Sequence, residues 1–464
     1  MKELLGLCQD ALREAGEAEV EVVLSTKQRG FARFAKGELG QHMQLEEPSA
    51  VVRVADGRRI AEATTSRIER EAIVLAIREA RAAARFVPET EGFVGFAGAD
   101  EPTGEDPPRF ARSTAEATAE ERVDRLAPVL ERVAKAGFFS AGVLETRTSA
   151  VAVATTRGVA RSHVSTTATF KVWALETPGA GGAAGYAGAV HRDVEALDLA
   201  AETERAIAIC RDSRDPGSLD AGTYDVVMEP AAAAELVEWL ATIASAAPEV
   251  EQGTSPFAGR MGERITGDGV TLVEDPLEAS PQGLAVPFDR EGVWRTRVPL
   301  LERGVVRGVL YDRLYAGRSG TRSTGSSLMP DGGSATSVGA CAVHMAPGTA
   351  ASVDELIKGV DRGVYVCRLH YVNGLLEPRR AVMTGLTRDG CFLIEKGKIS
   401  RAVGNLRFTD SFLEGLARCD GMTRERKAIP TWWSEAGASV VPAIRMRGFR
   451  FNGKSQERPQ PAGK

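Results

Sequence analysis

The chain has 464 residues, enough for two or three domains with sizeable apolar cores and no need of disulfide or metal staples. Lys+Arg number 58 and Asp+Glu 63, a formal charge of -5, and the two signs are interleaved along the chain, which excludes the basic stripe of a dedicated nucleic-acid binder. The six cysteines are scattered without the dense spacing of a secreted disulfide framework. Glu3, Asp10 and Arg13 interrupt the stretch a signal peptide would keep apolar, and no run approaches about 18 apolar residues. The expectation is a soluble cytoplasmic protein with no nucleic-acid or membrane partner.

Leu4, Leu5, Cys8, Ala11, Leu12 and Ala15 recur at helical spacing, and Gly16 follows where a helix end favours a left-handed residue. EVEVVLSTK then alternates, AVVRV and RRIAEAT flank the turn pair Asp56-Gly57, and Ile68, Ala72, Leu75 and Glu79 return to helical spacing. Residues 87–108, rich in Pro, Gly and acids, read as a long surface loop. A further helix is expected from about Thr114 to Lys135, with Val123, Leu126, Leu130 and Val133 on one face and Pro128 as a kink.

From Phe138 the pattern shifts to β-like runs rich in Thr, Val and aromatics, with a turn at Arg157-Gly158, and LDLAAETERAIAICRDS reads as one more helix. The Pro/Gly/Asp/Ser stretch 215–222 is the candidate domain boundary. Beyond it a helix from about Ala231 to Ala246 precedes a long β-rich region with turns expected near Asp289 to Gly292, Arg303-Gly304, Asp389-Gly390 and Lys396-Gly397. The fold class is therefore α+β: an N-terminal mixed α/β domain over 1–215, a β-rich, barrel-like C-terminal domain over 222–452, and a disordered tail over 453–464.

No complete catalytic motif is present. Cys341-Ala-Val-His344 and Cys367-Arg-Leu-His370 together offer four ligands of the kind zinc takes, but both pairs lie in strand-like runs, where residues three apart point to opposite faces. Ordinary core cysteines and partly exposed histidines are the plainer reading. G-x-S-x-G is absent, and Cys391 reads as a small buried apolar residue. The glycine run from Gly179 to Gly188 lacks the Lys-Ser/Thr of a phosphate loop and reads as a mobile loop or hairpin tip. Trp239, Trp294, Trp432 and Trp433 read as core or interface fillers.

From Gly222 onward the chain resembles the TldD/PmbA family of peptidase-related proteins. The resemblance rests, in order, on GTYDVVMEPAAAAELVEWLA, PFDREGVWRTRVPLLERGVVRGVLYDRLYA, RSTGSS, LIKGVDRGVYV, TGLTRDGCFLIEKGKI and VVPAIRMRGFRF; the weaker N-terminal phrases FARFAKGEL, VRVADGRR and TTRGVARS extend it over most of the chain. The resemblance implies that active TldD-type chains hold a metal through H-E-x-x-x-H on the helix after the G-T-Y-D-like strand, with a C-terminal cysteine as a further ligand. Such a metal would activate water while a carboxylate moves protons. Here that helix carries Val237, Glu238 and Thr242 at the motif positions, and no cysteine follows Cys419. Valine cannot ligate a metal and a lone threonine hydroxyl is a poor ligand.

This is the pattern of the PmbA (TldE-like) side of the family. It implies a chain with no catalytic residue or cofactor of its own, paired as a heterodimer with a TldD-like catalytic subunit that carries zinc and acts on peptides or unfolded chains. The segments from Asp289 to Tyr315 and from Arg318 to Ser327 are candidates for holding a peptide by strand addition. Two alternatives stay open: a homodimeric metallohydrolase with a site relocated to Cys341, His344, Cys367 and His370, and a peptide-binding protein without catalysis. Glu238 also has a plain reading as an exposed acid on an amphipathic helix.

Overall fold

The computed structural model describes residues 2–178, 182–280, 283–328, 338–430 and 438–454. The first part of the chain runs α1 (Lys2–Leu12), β1 (Glu19–Ala35), β2 (Glu38–Asp56), β3 (Arg59–Thr65), α2 (Arg70–Ala84), α3 (Arg112–Ala115), α4 (Ala119–Lys135), β4 (Phe139–Thr155), β5 (Ala160–Leu175), β6 (Ala184–His191) and α5 (Leu199–Asp212). Its strands form a six-stranded antiparallel sheet in the order β3-β2-β1-β4-β5-β6.

Because side chains alternate along a strand, this sheet sorts its residues onto two faces. Val20, Val22, Leu24, Val52 and Ala152 pack beneath α1 and α2, while Ala168, Phe170 and Val172 pack beneath α4 and α5. The opposite face carries Val23, Val51, Val151 and Val153, which meet Phe288 and Val293 of the C-terminal half. Thr118 starts α4 with a reciprocal cap: its hydroxyl accepts from Glu121 N at 3.2 Å, and the Glu121 carboxylate accepts from Thr118 N at 2.7 Å. The helix runs through Pro128 without a break.

The second part runs β7 (Gly222–Met228), α6 (Pro230–Ala244), α7 (Ala247–Glu251), β8 (Leu272–Glu274), β9 (Val298–Glu302), β10 (Val305–Val306), α8 (Arg313–Ser319), β11 (Val343–Met345), α9 (Val353–Lys358), β12 (Arg362–Glu377), β13 (Val382–Glu395), β14 (Lys398–Ala402), β15 (Leu406–Ser411), α10 (Phe412–Ala417), β16 (Cys419–Pro430) and β17 (Ala438–Lys454). The strands β7, β12, β13, β15 and β17 pair in a closed ring, since β17 joins both β15 and β7. This closure is the barrel expected of the C-terminal half, and it removes the open sheet edges on that side. Buried residues of α6 share one large apolar core with all five ring strands.

Several local expectations are corrected. Asp389-Gly390 is not a hairpin turn but a bulge inside β13: Val366 pairs with Cys391 and Arg368 with Arg388, so two residues of β13 stand opposite Cys367. Both bulge residues have left-handed backbone, with φ of 51° and 119°. Residues 87–108 hold no helix or extended strand, yet they are not all at the surface, since Phe96 and Ala97 are buried. Of the glycine run, residues 179–181 lie outside the described residues and Ala184–His191 forms β6. Gly185 is required there because a Cβ would stand 2.1 Å from Ala206 O of α5. Trp432, Trp433 and residues 455–464 also lie outside the described residues, and β17 itself reaches Lys454.

Candidate functional site

The strand β7 delivers the chain to α6, with Pro230 at the first helical position, where its missing N–H costs nothing. Glu229, just before it, uses its carboxylate elsewhere: it accepts from the Tyr365 hydroxyl and pairs with Arg205 of α5 at 2.5 Å. The helix is apolar on most of its circumference, and Val237 lies fully buried in the barrel core. Thr242 is exposed, and its hydroxyl donates to Glu238 O at 2.9 Å. Five residues on an α-helix turn through about 140° beyond a full circle, so one position faces the core and the other solvent. The residues at 237 and 242 do not fit a divalent metal.

Glu238 departs from the plain reading of an exposed acid. Its Oε1 is buried and has no hydrogen-bond partner among the described residues, while the carboxyl group bonds to Ser439 of β17. Burial raises it to about 8, with Glu235 adding to the rise and Lys171 opposing it. Glu235, one turn earlier on the same face, is raised by burial to about 7 against the pull of Arg368 and Lys171. Lys171 comes from the β5 face turned toward the C-terminal half; burial and Arg368 lower its ammonium, and Glu145, Glu238 and Glu235 act the other way. The helix predicted to be a degenerate metal site thus lies under a charged junction between the two halves. Sequence reasoning did not select Lys171, Glu235 or Arg368. The signal for Glu235 was its spacing from Glu238 within an otherwise apolar helix.

Beside this cluster, Arg368 is buried between aromatic rings, with its guanidinium carbon 4.6 Å from the Tyr186 ring centre and 5.4 Å from that of Trp173. It pairs with Asp389 of the β13 bulge, whose Oδ2 also receives the Trp173 indole N–H at 3.0 Å. The bulge therefore aims a carboxylate across the junction.

The four residues of the relocated-zinc alternative are not brought together. Cys341 Sγ donates to Glu274 Oε1 at 3.3 Å, and His344 sits on β11, paired with β8 and β17. Cys367 packs against Ile209, Phe392 and Ala402, and the His370 ring lies 4.1 Å from that of Tyr371. By the shortest route through the sheet, β11 and β12 are separated by β17 and β7, three interstrand spacings or about 14 Å. Burial raises both thiols well above their ordinary value, which opposes the thiolate a metal needs. Among the described residues no three His, Cys, Asp or Glu side chains form a metal-holding group.

The segment from Asp289 to Tyr315 has a structural use that its motif-like sequence did not disclose. Asp289 Oδ1 accepts from Glu291 N and Val293 N, both at 2.9 Å, and Oδ2 accepts from Ser327 N at 3.0 Å. This pins PFDREGV to RSTGSS, and Arg290 N and Thr296 N donate to Ser327 O and Thr324 O. Arg290 pairs with Glu62 of β3, and Glu291 joins Arg53 of β2. The backbone of these segments is largely engaged inside the molecule, and their charges fasten the C-terminal half to the N-terminal sheet.

Comparison with known proteins agrees with this architecture. Residues 221–453 match the family model described as the PmbA/TldA metallopeptidase C-terminal domain. A Metalloprotease of Methanothermobacter thermautotrophicus is 26% identical over 279 residues, 59% of this chain and 59% of its own length. A Metalloprotease TldD homolog of Haemophilus influenzae is 27% identical over 161 residues (35% and 32%), and a Zinc metalloprotease TldD homolog of Saccharolobus solfataricus is 28% identical over 104 residues (22% and 23%). The chain thus spans 59% or less of the length of these curated relatives. The fold is similar to that of TldE from Thermococcus kodakarensis, with a TM-score of 0.86 at 19% identity, over 97% of this chain and 99% of that one. A putative modulator of DNA gyrase from Thermotoga maritima follows at 0.83 and 18%, over 97% and 100%. The chain belongs to the PmbA/TldD family of metallopeptidase-related proteins.

Proposed function

We propose that this chain is the non-metallated, TldE-like subunit of a TldD/TldE-type zinc metallopeptidase complex, in which a TldD-like partner carries the zinc and peptides or unfolded chains are the substrate. The observation that carries the reading is the placement of Val237 in the apolar core with Thr242 on a different side of α6, which leaves Glu238 with no metal-bound water to activate. The near-complete structural match to a protein titled TldE supports it. Six unpaired cysteines support a reducing, cytoplasmic setting.

The test is a pull-down of the tagged chain from its native cells, with elemental analysis and a peptide-cleavage assay on the chain alone and on what it captures. The reading expects a TldD-like chain in the eluate, with zinc and cleavage in the mixture and neither in the isolated chain. One tightly held zinc in the isolated chain overturns it.

A further inference from the structure

A cavity of about 420 Å³ opens between the loop at 98–106, the start of β5 and the segment 287–294, with no residue of α6 in its wall. The volume falls at the lower end of the about 300–1,000 Å³ of small-molecule sites. Val159, Pro287 and Trp294 supply an apolar side, and Arg161 and Asp106 bring opposite charges to it.

These two charges do not pair with each other. Among the described residues Arg161 donates only through Nη2, to Glu101 O at 3.3 Å and Pro102 O at 2.8 Å, and its guanidinium carbon lies 5.4 Å from the Trp294 ring centre. No carboxylate among them stands within ion-pair distance of it: Glu101 pairs with Arg313, and Glu101 and Asp289 act on Arg161 only from farther off. Burial lowers the guanidinium for want of a close partner. Asp106 is more than half exposed and lies 2.9 Å from His163 Nδ1, with no lysine or arginine among the described residues at ion-pair distance; Arg109 acts on it from farther off. Burial lowers His163, so the ring meets Asp106 as an uncharged group at neutral pH. Arg161 and His163 are two apart on β5, which puts them on one face with about 7 Å between their backbones. A third group is open beside them. The Trp294 indole N–H makes no hydrogen bond among the described residues and is not sealed from solvent. Gly104 keeps it uncovered, since a Cβ there would stand 2.2 Å from Trp294 Nε1.

We propose that this cavity binds a small zwitterion, with its carboxylate on Arg161 and the Trp294 N–H, its ammonium on Asp106 and an apolar group against Val159 and Pro287. A plain anion would face Asp106 and a plain cation Arg161, whereas a zwitterion meets both with the opposite sign. A free amino acid and a dipeptide share this chemistry. The inference does not depend on the peptidase-complex reading and uses none of its residues.

The test titrates the full chain by ligand-observed NMR with leucine and alanyl-leucine, and with the N-acetyl and amide forms of each. The parent ligands are expected to bind with dissociation constants of about 1–10 mM, the scale for roughly a dozen heavy atoms at ordinary efficiency. Removing either charge from the ligand should weaken binding about tenfold. Asp106→Asn, at an exposed position, should cost the zwitterions and the amides about tenfold and leave the N-acetyl forms unchanged. Arg161→Gln should cost the zwitterions and the N-acetyl forms about tenfold and spare the amides. Tighter binding of alanyl-leucine assigns a short peptide, and binding of leucine alone assigns a free amino acid. N-acetyl or amide forms that bind as well as the zwitterions, a uniform loss across all forms in both variants, unchanged binding in both, or no saturable binding below about 50 mM overturns the proposal.

Discussion

Arg53 of the N-terminal sheet grips Glu21 of the neighbouring strand at 2.7 Å and Glu291 of the C-terminal half at 3.2 Å, with its guanidinium carbon 5.1 Å from the Phe96 ring centre. All three charged side chains are nearly excluded from solvent. Arg53→Ala leaves two buried carboxylates without their cation, and the expected loss is about 3–5 kcal/mol of unfolding free energy. Arg53→Lys recovers part of it, because an ammonium keeps the charge but not the planar fork. Urea unfolding of both variants measures this; a loss below about 1 kcal/mol for Arg53→Ala would mean that the triad behaves like a surface pair.

The acids of α6 predict a pH dependence with a definite sign. Glu235 and Glu238 both sit above the ordinary glutamate value when folded, at about 7 and about 8. Their contribution is therefore complete below the ordinary value and is lost as pH rises through those two values. Stability should fall between about pH 5 and pH 8, by up to about 1.4 kcal/mol per pH unit for each group within its window. Glu238→Gln mimics the protonated form and should flatten the upper part of that fall. Denaturant melts across the range compare it with the parent chain, and identical slopes would show that Glu238 titrates like a solvated acid.

Restoring the motif letters should not restore the metal. In V237H/T242H, one imidazole enters the apolar core and the other points away from it. The expected result is a cost of about 2–5 kcal/mol from the buried polar ring and no stoichiometric zinc by calorimetry. Capture of one zinc per chain by the double variant would contradict the placement of these two positions.

Gly185 predicts a steric limit on the N-terminal half. A Cβ there would meet Ala206 O at 2.1 Å and Cys210 N at 2.5 Å, both backbone atoms that cannot swing aside. Gly185→Ala should cost about 1–3 kcal/mol through displacement of α5, while Gly40→Ala, where a Cβ meets nothing within 4 Å, should have little effect. Thermal melts of the two variants provide the comparison, and equal shifts would argue against tight packing of α5 on β6.

Much of the fold was legible locally. The spacing of Leu4, Cys8 and Ala11 and the left-handed pairs Arg303-Gly304 and Lys396-Gly397 act over a few residues, so their consequences can be read from the chain itself, whereas the helix expected from Thr114 starts only at Ala119, capped by Thr118. Asp389-Gly390 misled because left-handed backbone serves a bulge as well as a turn, and the choice depends on the partner strand β12. Residue chemistry alone already denied Val237 a metal-binding role.

What the sequence determined by itself was the α+β class and the strand-rich second half, because short-range periodicity suffices for both; the resemblance to the TldD/PmbA family is what located the missing ligand atoms at 237 and 242. Tertiary structure alone decided that Glu238 is buried rather than exposed, that Lys171 arrives near it and Arg368 near Glu235 from distant strands, and that PFDREGV fastens the two halves. Desolvation and charge pairing depend on what the rest of the chain places within a few ångströms: Lys171 comes from the six-stranded sheet, and Arg368 from the barrel whose ring closes where β17 pairs with β7.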